Sequence, residues 1–118
     1  VAMLEGAERL HEEHAGSSNL HDQLHHAVAH VIPTTNRERR GRLIWFAYVA
    51  KSLEDPLIAR SLAEAKQGQE KEVAHLLQGL NHPTPLSRAR ELIALADGLA
   101  VRVLIDDLTS AEALAMLP

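Results

Sequence analysis

The sequence predicts an all-α fold, a helical bundle of about six helices, and three observations carry that expectation. The apolar 46% of the chain is built from Leu, Ala, Val and Ile, with only one Trp, one Tyr and one Phe. Ala and Leu are strong helix formers, and the β-branched runs that would favour strands are scarce. Start and stop signals recur at helical lengths, and the apolar residues between them keep helical spacing.

The elements follow in order. A first helix is predicted from Ala2 to His14, with Met3, Ala7 and Leu10 on one face and Gly16-Ser17-Ser18 as its stop. A second runs from Leu20 to Ile32, capped by Ser18 or Asn19 and stopped by Pro33, with Leu20, Leu24, Ala27, Val28 and Val31 as its apolar stripe. Thr35 to Glu38 reads as a capping box opening a third helix that reaches Leu53. Its first turns are basic, and Leu43 to Ala50 is apolar on every side, which predicts a central helix buried all round. Asp55-Pro56 is a cap followed by a proline at the first helical position. That fourth helix reaches Leu80, and its polar middle, Lys66 to Glu72, either faces solvent or marks a bend. Thr84-Pro85 repeats the start signal for a fifth helix to Ile105, again apolar all round from Leu92 except at Asp97 and Arg102. Thr109 to Glu112 is another capping box, opening a short helix to Leu117.

Composition narrows the function. The 118 residues fit one domain, assigned to residues 1–118. There is no cysteine, so disulfides, thiolate metal sites and Cys nucleophiles are excluded, consistent with a reducing compartment, and a cytoplasmic location is expected. A formal net charge of −4 makes the chain a poor candidate to grip DNA by itself. No apolar run is long enough for a membrane span, and Glu5 and Glu8 stand where a signal peptide would need a basic and then an apolar stretch. No enzyme signature is present: there is no phosphate-cradling loop and no G-x-S-x-G, and Glu72 with His75 supplies only one of the two Glu-x-x-His pairs a di-iron bundle requires. No cofactor is expected.

Two stretches that are apolar all round exceed what one small core can cover. A second copy of the chain is the simplest cover, since an obligate dimer buries a face like a domain core cut in half. The fifth helix, aided by the fourth, is the candidate face, with Leu76, Leu92, Leu95, Gly98 and Arg102 as candidate interface residues. Gly98 would let two backbones approach; a tolerated helix glycine is the plain alternative.

Three motifs point to a family. Residues 42–56, RLIWFAYVAKSLEDP, resemble the W-x-A-F-x-A-x-A-L-x-D-P segment of TetR/AcrR-type C-terminal domains. Residues 92–104, LIALADGLAVRVL, resemble that family's L-x-A-L-x-D-G-L-A-x-x-x-L, and 108–114, LTSAEAL, its L-T-P-E-x-A-L with Ser110 in place of the common Pro. The resemblance implies a transcriptional regulator, expected to be a repressor, whose sensor domain binds a small apolar or amphipathic effector. It also implies a homodimer formed through a four-helix bundle, two long helices from each subunit. Operator DNA would be reached only through an N-terminal helix-turn-helix domain. The sequence departs from the family in lacking that domain and an initiator Met, which reads as a fragment; Ala2 to His14 would then be the helix linking sensor to DNA reader.

Candidate site residues follow. Trp45, Phe46 and Tyr48 are all the aromatics present. Core filling accounts for Phe46, whereas Trp45 and Tyr48 are candidates for pocket lining because their N–H and O–H groups need partners if buried. Val49 and Ser52 share the Trp45 face at helical spacing, and Leu62 and Leu99 are candidate opposite walls. Asp97 and Arg102 are expected to pair within the chain or across the dimer. Among eight histidines, His21 with His25 and His26 with His30 are spaced i, i+4, as two imidazoles on one metal would be, and His11 and His14 lie upstream with Glu12 and Glu13. A metal-responsive helical protein is thus one alternative function, a polar helix face the plainer account of the histidines, and a ligand-free interaction module the other alternative.

Overall fold

The computed structural model describes residues 19–118, so the helix predicted from Ala2 to His14, the Ser18 cap, His11 and His14 lie outside the described residues. The described residues form five helices: α1 (Leu20–Ala29), α2 (Asn36–Ser52), α3 (Pro56–Gly79), α4 (Pro85–Leu104) and α5 (Ser110–Ala115). There is no strand among them.

Local chemistry sets the boundaries. Asn19 caps α1, its side chain accepting from the backbone N–H of His21 and Asp22. The Thr35 hydroxyl accepts from Glu38 N at 3.1 Å, but the Glu38 carboxylate reaches back to the N–H and hydroxyl of Thr34 instead of closing the box on Thr35. Asp55 caps α3 through the N–H groups of Leu57 and Ile58. Thr84 precedes α4 without a side-chain cap, so Pro85 carries that start, its missing N–H being one of the unpaired donors in any case. Thr109 and Glu112 form the full reciprocal capping box that opens α5.

Both long helices end alike. Asn81 and Asp106 have positive φ (63° and 60°), a conformation Asn and Asp tolerate better than other side chains. His82 N then donates to Leu77 O and Asp107 N to Arg102 O, satisfying carbonyls that would otherwise lack partners. Arg39 of α2 adds two hydrogen bonds to the end of α4, to Val103 O at 3.2 Å and Leu104 O at 2.6 Å, where a cation also meets the negative end of the helix dipole. Ser110 donates to Pro33 O at 2.5 Å, fastening α5 to the α1–α2 connection.

α4 is the central helix, packed against α1, α2, α3 and α5, most extensively against α3. Val73, Ala89, Ala96 and Ala113 are fully excluded from solvent, and Ile32 is 1% exposed. The polar middle of α3 continues the helix without a break and is not wholly solvent-facing, with Lys66, Gln69 and Glu70 half-buried. Gly79 makes room for α1, since a Cβ there would stand 3.2 Å from Leu20 Cδ1.

The expectation that Leu43 to Ala50 is buried all round is corrected. Of that segment Trp45 alone is buried, while Leu43 and Ile44 are about half exposed (51% and 50%). α2 packs against α3 and α4 on one side, and nothing among the described residues covers the other. Apolarity on every side registers a demand for cover, not the identity of what supplies it.

Candidate functional site

Trp45 lies where α2, α3 and α4 meet, and the side chains around it are charged. Arg42, one turn before it on α2, places its Cζ 5.8 Å from the ring centroid, and Lys66 of α3 places its Nζ at 4.9 Å. Both fall within the range at which a cation is attracted by an aromatic face. Lys66 donates to both carboxylate oxygens of Asp97, at 2.8 and 2.7 Å, and to Gln69 Oε1 at 3.3 Å. Within the chain Asp97 pairs with Lys66, and Arg102 with Asp107 at 2.6 Å, so the pairing of Asp97 with Arg102 expected within the chain is not formed.

The charges here do not balance. Asp97 is the carboxylate that serves Lys66, and among the described residues no carboxylate lies in ion-pair range of Arg42. Burial lowers the Arg42 pKa from its ordinary value, opposed by the charge of Asp97. His30, whose Nδ1 lies 2.9 Å from Ala27 O, is lowered first by burial and then by the charges of Arg42 and Lys66. Gln69 Nε2 is buried with no hydrogen-bond partner among the described residues. The spacing of Trp45 was legible beforehand; Arg42, Lys66 and Gln69 were missed. The signal for them was Asp97, an acid interrupting an apolar helix.

The other predicted lining residues spread from buried to open positions. Leu62 (9% exposed) and Leu99 (3%) are buried, Leu99 within the main core. Tyr48 and Val49 are each 37% exposed. Ser52 donates its hydroxyl to Val49 O of its own helix at 2.6 Å. Of the candidate interface residues, Leu76 and Leu92 are spent on the core of the protomer itself, whereas Leu95, Gly98 and Arg102 face outward on α4.

A cavity of about 260 Å³ opens at another end of the bundle, between α1, α3, α4 and the last residues. His21, His25 and Arg88 supply its polar groups, and Leu24, Val28, Leu77, Leu92 and Leu117 its apolar wall. It brings together His21 and His25 of the four metal candidates but not His26 or His30. Among the described residues, no group of three or more His, Asp or Glu converges as a metal-ligand set. No described helix is long and apolar enough to cross a membrane.

An all-helical fold with a central α4 and a motif-bearing α2–α3 junction defines the class: the C-terminal domain of a TetR-type transcriptional regulator. Within that class, the family described as BetI-type transcriptional repressor, C-terminal, matches residues 20–117, and the chain belongs to it. Comparison with curated proteins and with solved structures finds no match.

Proposed function

We propose that this domain is the effector-sensing and self-associating part of a cytoplasmic repressor, and that its work is binding, not catalysis. The observation that carries the dimer is the outward side of α4. Ala94, Leu95, Gly98, Val101 and Ile105 stand exposed at helical spacing, with Leu95 at 37%, Val101 at 38% and Ile105 at 68%. Apolar residues in such a stripe call for a covering surface, and a symmetric pairing of α4 with α4, flanked by α3, supplies one. Arg102 borders the stripe and Leu76 and Leu92 support it from beneath. Operator DNA falls to a separate DNA-binding domain of the regulator, in keeping with the net charge of −4 here.

The effector is assigned to the Trp45 region, with Trp45, Tyr48, Val49, Ser52, Leu62 and Leu99 as candidate lining. Binding there would act on the dimer because α4 carries both Asp97, bonded to Lys66 beside Trp45, and the outward stripe. Light scattering across a tenfold concentration range tests the association. A mass near twice 13.0 kDa, lost on Leu95→Arg with helicity retained, is expected. A persistent monomer would remove the α4 interface.

A further inference from the structure

The charge imbalance around Trp45 says what kind of effector would fit. We propose, resting on the effector reading above, that the site takes a small organic carboxylate, its anionic head held by Arg42 and the amide N–H groups of Gln69 and its apolar body against Trp45. Three observations converge. Arg42 and Lys66 both stand within 6 Å of one indole ring. The carboxylate beside them, Asp97, has both oxygens bonded to Lys66. Gln69 accepts from Lys66 at Oε1 and leaves Nε2 buried without a partner among the described residues.

A guanidinium presents five N–H donors in a fork that matches a carboxylate. Arg42 has no carboxylate in ion-pair range among the described residues, so that fork is unspent. A buried donor with no acceptor is destabilising until one is supplied. A carboxylate entering here would take hydrogen bonds from both groups and balance the surplus positive charge. A cation would meet Arg42 and Lys66 as like charges, and a neutral amide would leave the surplus in place. Burial lowers the Arg42 pKa, as expected of a cation without a full counter-charge. The inference concerns charge class, and the indole restricts the remainder of the ligand to an apolar or aromatic body.

Trp45 is the single tryptophan of the chain, so its fluorescence reports this site alone. The chain is titrated at constant ionic strength with sodium benzoate, benzamide, benzylammonium chloride and sodium sulfate, each to about 10 mM, and the thermal midpoint is followed in parallel. Benzoate is expected to change Trp45 emission saturably and raise the midpoint, binding at least about tenfold more tightly than the other three. Arg42→Met should weaken benzoate by about tenfold or more, and Gln69→Leu by several-fold. Arg60→Met, an exposed cation on α3, should change nothing. Should Arg42→Met fail to fold, Gln69→Leu decides the same question.

Saturable binding of benzamide or benzylammonium as tight as benzoate would overturn the carboxylate assignment while leaving an effector site at Trp45. Sulfate as effective as benzoate would overturn the organic part. If no probe moves either readout, the cluster is a structural ion network, and both the carboxylate assignment and the placement of the effector at Trp45 fall. The α4 dimer is tested separately by solution mass.

Discussion

Replacing Lys66 with Met tests the junction of α2, α3 and α4 most directly. Lys66 donates to both oxygens of Asp97, with the two side chains 25% and 30% exposed. Exposed pairs contribute about 0–1 kcal/mol, and stripping one partner from a fully buried pair costs about 3–5 kcal/mol. Groups withdrawn from water to this intermediate degree should lose about 2 kcal/mol when Lys66→Met leaves Asp97 unpaired. At an unfolding entropy of about 2.1 cal/mol/K per residue, that is a fall of about 8 °C in the midpoint for this chain. Asp97→Asn should cost less, about 1 kcal/mol, because Lys66 keeps Gln69 Oε1 and the Trp45 ring. The assay is a double-mutant cycle by urea denaturation, followed by Trp45 emission and by circular dichroism. A coupling energy of about 1 kcal/mol or more is expected, and a Lys66→Met, Asp97→Leu double variant should recover most of the lost stability. A coupling below about 0.5 kcal/mol, or a double variant as unstable as the two losses added, would refute the pair as a determinant of this junction.

Three further predictions follow from single positions. Gly68→Ala and Gly98→Ala both add a Cβ with nothing within 4 Å, so each should stabilise an isolated protomer by about 0.5–1 kcal/mol. If two copies meet closely at Gly98, Gly98→Ala alone should also lower the dimer mass at a given concentration, as light scattering would show. His30 has a folded pKa below its ordinary 6.5, so the unfolded chain binds more protons as pH falls through that value. The stability present above pH 6.5 should therefore decline below it, by up to about 1.4 kcal/mol per pH unit, and His30→Gln should flatten the slope of thermal midpoint against pH between about 6.5 and 5.5. Val73→Ala, at a side chain with no exposure, should cost about 2–3 kcal/mol in denaturant unfolding, against less than about 1 kcal/mol for Val101→Ala at 38% exposure.

Much of the fold was written in local sequence. The caps at Asn19, Asp55 and Thr109 and the prolines at 56 and 85 act within a few residues of themselves, so their outcome did not depend on distant neighbours. The motifs of residues 42–56 and 92–104 carried the family, and with it the class of function, because they are contiguous. The segments Leu43 to Ala50 and Leu92 to Ile105 looked equivalent as sequence, each apolar all round. Packing alone separated them: α4 meets four helices and buries seven residues while keeping one exposed stripe, whereas α2 buries Trp45 alone. The same holds for charge. Lys66 and Asp97 are 31 positions apart, Arg39 reaches Leu104 across 65, and Ser110 reaches Pro33 across 77. No periodicity reports such pairings, since they arise only when helices distant in the chain are brought side by side. Helix type, boundaries and family were thus decided by interactions within one or two turns. Which apolar face is core, which cation lacks a counter-charge and which amide is left unbonded were decided by tertiary packing, because each is a property of the neighbours that arrive.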